Sequence, residues 1–204
     1  MTNDGGSSDL FLSDVQNQLQ PSAYADLIAA AKASGTEAWG IWNLLGFRPN
    51  AALHLVRFTQ EIMHEDAPIS TALRELIAAY TSSLNHCNFC MKAHAGVAAH
   101  LYGDEVVVAA ALHDPETAPL PENEKAMLRF IRKVTLDSAQ VNPEDIAVLH
   151  AAGWNDTAIY YAIATCALFS FYNRFVSANG VGLVSDETFR RNGVRIAEKG
   201  YMRE

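Results

Sequence analysis

Two thiols, an imidazole and a carboxylate stand out from a chain otherwise rich in alanine and aliphatic residues. In the stretch Ser82-Ser83-Leu84-Asn85-His86-Cys87-Asn88-Phe89-Cys90-Met91-Lys92-Ala93-His94 the cysteines are three residues apart, and His94 follows Cys90 by four. Glu75 stands twelve residues before Cys87. A dithiol with a base and an acid within reach suits thiol redox chemistry, because the thiolate is the nucleophile and a second thiol can close a disulfide. On an α-helix turning about 100° per residue, Cys87 and Cys90 lie about 60° apart and Cys87 and His94 about 20° apart. All three then share one face, with Cys90 and His94 as i, i+4 neighbours. A free thiol of pKa ~8.5 is only about 3% ionised at neutral pH, and a downward shift of about two units makes it mostly thiolate. A helix N-terminus, a nearby imidazolium and a carboxylate that steers the proton act in that direction.

The surrounding pattern predicts the elements that must hold these groups. Thr71 to Ser83 reads as a helix that buries Leu73, Leu76, Ile77 and Tyr80, an i, i+3, i+4, i+7 stripe. Glu75 lies in that stripe, where a carboxylate costs free energy unless it has a partner or faces a cavity. Packed antiparallel to the next helix, it is expected to point at His94 or the thiols, with proton transfer ordered Glu75, water or His94, then thiol. Asn85 is the expected N-cap of that next helix, running from about His86 to Tyr102, which puts Cys87 in its first turn. Asn50, Ser70, Asp104, Asn142-Pro143, Asn155 or Asp156, and Ser185 are further start signals, and Gly103, Gly153 and Gly180 are stops. Strand signals are poor. The predicted fold is all-α: a single-domain helical bundle over 21–204, with a helix-turn-helix bearing Cys-x-x-Cys, after a mobile tail over 1–20.

The 204 residues suit one buried core, and half of them are apolar. A formal charge of −8 from 23 acidic and 15 basic residues gives no electrostatic reason to bind nucleic acid or an anionic membrane. The first residues have neither a basic region nor an apolar run, and no segment approaches the ~20 continuous apolar residues of a membrane span. A cytoplasmic location is expected, where three cysteines are not a disulfide framework and a close pair points to catalysis or metal binding. The high apolar fraction suggests a homo-oligomer.

Blander readings compete for the same residues. Cys87 and Cys90 with His86 or His94 could bind zinc, but closed zinc sites need four ligands and the sequence has no second Cys-x-x-Cys. A non-catalytic, redox-sensing helical oligomer is the other alternative. Cys166 reads as a small buried hydrophobe, Tyr80 and His100 as structural, and Asn173-Arg174 as a hydrogen-bond anchor. Trp39, Trp42 and Phe47 read as packing or subunit contact, not as a ligand box.

The set Glu75, Ser82, Asn85, Cys87, Phe89, Cys90 and His94 resembles the alkylhydroperoxidase D-like, carboxymuconolactone decarboxylase-related family, with the later stretch Gly153 to Arg174 similar to its peroxidase-related branch. The resemblance spans roughly Ala67 to Gly182. It implies a helical oligomer that reduces hydrogen peroxide or small organic hydroperoxides with its dithiol, without haem, flavin or metal. By that analogy Cys90 takes the peroxide oxygen, Cys87 resolves the sulfenic acid, His94 and Glu75 relay protons, and an external dithiol protein or small thiol restores the pair. Alkylhydroperoxidase D has a histidine just before the second cysteine, where this chain has Phe89, so one possible proton donor is missing. Decarboxylases proper lack the cysteine pair, and lactone decarboxylation is not expected.

Overall fold

A computed structural model describes residues 9–203, and every regular element among them is helical. The α-helices are α1 (Ser13–Asn17), α2 (Ala23–Ala33), α3 (Ile41–Phe47), α4 (Pro49–Met63), α5 (Thr71–Leu84) and α6 (Asn88–Tyr102). They continue with α7 (Glu105–His113), α8 (Glu122–Asp137), α9 (Pro143–Ala151), α10 (Asp156–Ala178) and α11 (Asp186–Lys199). A single 3-10 turn, Ser138–Gln140, follows α8. The expected all-α fold is therefore the observed one. Among the described residues, no helix is long and apolar enough to cross a membrane.

Local chemistry sets most helix ends. Ser22, Ser70, Asn155 and Ser185 each accept a hydrogen bond from a backbone amide of the first turn they precede. Asn142 and Asp145 form a reciprocal capping box with Pro143 at the first helical position. The start of α4 differs from expectation. Pro49 opens it after Arg48, and Asn50 already lies inside the helix. Residues 1–8 of the expected mobile tail lie outside the described residues. Residues 10–17 are docked: Leu10 is buried, the Phe11 amide bonds Asn179 O at 3.0 Å, and α1 forms.

The hairpin of α5 and α6 is the centre of the molecule. Helix α5 is buried along ten consecutive residues, Leu73 to Ser82, because α6, α8 and α10 pack around it. Helix α11 covers the other side of α6, and Gly193 lets the two backbones come close. A Cβ on Gly193 would sit 3.4 Å from the Gly96 carbonyl carbon. Two large apolar cores result, beside a small third cluster of Leu45, Ala52 and Val56. One is largely aliphatic, built on Leu73, Leu76, Ile77, Met127, Leu128, Ile131 and Leu149. The other is aromatic and contains both cysteines, with Trp39, Trp42, Phe89, Phe169, Tyr172 and Phe189.

Candidate active site

The turn between α5 and α6 differs from the expected one, and the difference sets the position of the thiols. Asn85 ends α5 instead of starting α6, and His86 takes the left-handed region at φ 56°. Helix α6 begins at Asn88, so Cys87 is its N-cap residue and not a member of its first turn. The Asn85 side chain is used across the bundle, where Nδ2 donates to Asn173 Oδ1 at 3.0 Å. Asn173 Nδ2 in turn donates to Ser82 Oγ at 2.9 Å, and Ser82 Oγ donates to Ala78 O at 2.7 Å. This polar chain clamps the turn to α10. Asn173 is therefore the anchor the sequence suggested, and it also lies beside the sulfurs.

Both cysteines are free thiols and buried. A hydrogen bond from the Cys90 thiol pulls the Cys87 thiol down to about 6, against the opposing effect of burial, and Ser177 and Asn173 add smaller contributions. The N-cap position works in the same sense, since the positive end of α6 favours an anion there. The same hydrogen bond, together with burial, pushes Cys90 well above the ordinary thiol value. Cys87 is thus the more acidic of the two thiols, and the two titrations are coupled.

Beside the pair lies the acid–base group. His94 Nδ1 and Glu75 Oε2 are 2.7 Å apart, both buried, so of the expected alternatives, His94 or the thiols, the packing of α5 on α6 brings Glu75 into direct contact with His94. Tyr201 completes the group, and sequence reasoning missed it. Its hydroxyl donates to Glu75 Oε1 at 2.5 Å and lies 3.3 Å from His94 Nδ1. Burial first, then the Glu75 charge, holds its phenol well above the ordinary value, so it acts as a donor. With Nδ1 engaged on Glu75, Nε2 is the ring nitrogen left for chemistry. The edge of the His94 ring packs on Phe169 at 4.2 Å between centroids.

Tyr201 reaches the site because the chain turns back after α11. Gly200 has φ +68°, a Cβ there would collide with the Gln60 side chain, and Gln60 Oε1 accepts the Tyr201 amide at 2.7 Å. No local period marks such a tail residue. The only available signals were the glycine and the aromatic just beyond the last helix.

Cys90 and His94 line one cavity of about 80 Å³, together with Trp39, Trp42, Tyr172 and Tyr201; Cys87 is not among its walls. That volume holds a few water molecules or a small ligand. Trp39 and Trp42, expected to be plain packing residues, thus form the walls of the site. Phe89 is wedged between Trp39 and Phe189, each 5.7 Å away between centroids, which gives the aromatic at that position a packing role. For a metal, among the described residues no group of three or more His, Cys, Asp or Glu side chains is arranged to hold one. His86 is exposed and His94 is committed to Glu75. Cys166 is buried apart from the site, 3.2 Å from Thr135 Oγ1.

Residues 49–133 match the carboxymuconolactone decarboxylase family. That segment contains Glu75, both cysteines and His94, and it ends before the stretch 153–174. No curated protein sequence matches the chain. An uncharacterized peroxidase-related protein from Silicibacter sp. TM1040 is similar in structure, with 24% identity and a TM-score of 0.77 over 93% of this chain and 97% of that one. A protein from Ralstonia eutropha JMP134, described as an alkylhydroperoxidase AhpD core and uncharacterized peroxidase-related protein, gives 23% identity and 0.74 over 87% and 92%. The debrominase Bmp8 in its apo form gives 21% and 0.67 over 85% and 92%. At these identities the likeness shows a shared fold.

Proposed function

From a chain whose segment 49–133 belongs to the carboxymuconolactone decarboxylase-related, alkylhydroperoxidase D-like family, we propose a thiol-dependent peroxidase. It reduces hydrogen peroxide or small organic hydroperoxides through the Cys87–Cys90 pair. The observation that carries this reading is a buried, free dithiol whose Cys90 lines a small cavity together with His94, itself backed by Glu75 and Tyr201. The attacking sulfur is Cys90, because it meets the cavity, and its proton can pass along the existing hydrogen bond to Cys87. The Cys90 sulfur attacks the terminal peroxide oxygen, an S–O bond forms as O–O breaks, and the leaving alkoxide takes a proton through His94. Cys87 then attacks the sulfenic sulfur, closing the disulfide and releasing water. An external dithiol reductant restores the pair by exchange. Net, one peroxide becomes an alcohol and water while the reductant is oxidised to its disulfide. The proposal extends to a cytoplasmic homo-oligomer.

Stopped-flow consumption of hydrogen peroxide with a dithiol reductant tests the assignment. Cys90→Ser should abolish turnover and sulfenic acid trapping, whereas Cys87→Ser should keep one trappable oxidation. Turnover by Cys90→Ser at the parent rate sinks the reading. Removal of halogen from a small aromatic ring is a second reading, favoured by the aromatic cavity walls. A variant of the debrominase Bmp8, 19% identical with a TM-score of 0.67, is in complex with 2,3,4-tribromopyrrole. Thiol-dependent bromide release from such a pyrrole, without peroxide consumption, would replace the first reading by the second.

A further inference from the structure

The cavity has a charged side that the thiol chemistry does not use. Arg195 and Arg203 both line it. Arg195 spends two of its N–H groups on the tail, donating to Gly200 O at 2.6 Å and Met202 O at 2.5 Å. Three of the five guanidinium donors remain. The Arg203 guanidinium stands 5.4 Å over the Trp42 ring. Among the described residues, no carboxylate pairs with either arginine, although the chain has 23 acidic residues against 15 basic ones. Burial first, and then the charge of Arg195, lowers Arg203 to about 10. The nearby Tyr24 hydroxyl is neutral, since burial raises it. The indole N–H of Trp39, on the aromatic wall, also has no acceptor.

We propose that Arg195 and Arg203 form a carboxylate-binding subsite, so that the organic substrate of this cavity is a small apolar or aromatic acid, as its hydroperoxide. The planar fork of a guanidinium matches a carboxylate with two parallel hydrogen bonds, and a pair of forks neutralises it in a setting where water is partly excluded. The aromatic walls take the apolar body. This rests on the peroxidase reading only for the word hydroperoxide; the anion subsite stands on the arginines alone.

Calorimetric titration of the reduced protein with benzoate and with benzamide, its neutral isostere, tests the subsite. Benzoate should bind roughly tenfold or more tightly than benzamide, and Arg203→Gln should remove that preference while benzamide binding stays as it was. Equal affinity for the two, or no benzoate binding in the parent, overturns the subsite without needing any variant. Benzoate preference retained in Arg203→Gln overturns the assignment to that residue pair. Hydrogen peroxide consumption by the parent separates the two claims. Benzoate preference without peroxide turnover sinks the peroxidase and leaves the subsite, and turnover without benzoate preference does the reverse.

Discussion

The two large cores of this protein share helices α5 and α6 yet differ in what fills them. Around Leu73, Leu76, Ile77, Met127, Leu128, Ile131 and Leu149 the side chains are aliphatic and fully enclosed. On the other side, rings of Trp39, Phe89, Phe169, Tyr172 and Phe189 surround two thiols and leave a cavity. Protein interiors are packed to crystal-like density, so a cavity left among the rings beside Cys90 is a local exception. One core holds the hairpin rigid, and the other uses that rigidity to keep a nucleophile, a base and an open space in register. The division of labour explains why Glu75 is tolerated in the middle of the α5 stripe. Its neighbours Leu76 and Ile77 face the aliphatic side, and Glu75 itself turns to His94 and Tyr201.

Breaking one core at a time should separate stability from chemistry. The largest effect on turnover is expected from Cys90→Ser, a loss of at least ~10³-fold in peroxide reduction with an unchanged melting temperature, read by stopped-flow and thermal unfolding. Leu76→Ala, in the aliphatic core, should cost about 3 kcal/mol in denaturant unfolding. Its turnover per folded molecule should change little, and a comparable loss of turnover would show that the cores are not separable. Glu75→Gln should lower peroxide turnover by roughly 10²-fold by weakening the proton relay through His94 to the leaving oxygen.

The pH dependence is a finer test. With the Cys87 thiol near 6, turnover should rise roughly tenfold from pH 5 to pH 7 and then level off. Because its folded value lies below the ordinary 9, Cys87 contributes stability that is fully present above pH 9 and is lost as pH falls through about 6. The parent should therefore gain denaturant resistance between pH 6 and pH 9 relative to Cys87→Ser, and identical pH curves would contradict the acidic thiol. The smallest expected change is Tyr201→Phe, about tenfold in turnover and ~1–2 kcal/mol in stability, since one acceptor oxygen of Glu75 loses its donor.

The sequence alone determined the helical fold and most helix starts, and it aimed Glu75 at either His94 or the thiols. These follow from interactions a few residues long: an apolar stripe, a serine or asparagine accepting first-turn amides, and a hairpin that must pack antiparallel. It misplaced the Cys87 turn, because Asn85 looks like an N-cap until Asn173, 88 positions later, claims its side chain. Only the tertiary structure decided which thiol is the more acidic, since that depends first on the hydrogen bond from Cys90, made where Cys87 becomes the N-cap after the left-handed His86. Only it brought Trp39, Tyr201, Arg195 and Arg203 to the cavity. Those residues come from both ends of the chain, and contacts between distant segments leave no period or spacing in the sequence. They form because burying the remaining faces of α6 requires the ends to fold back over it.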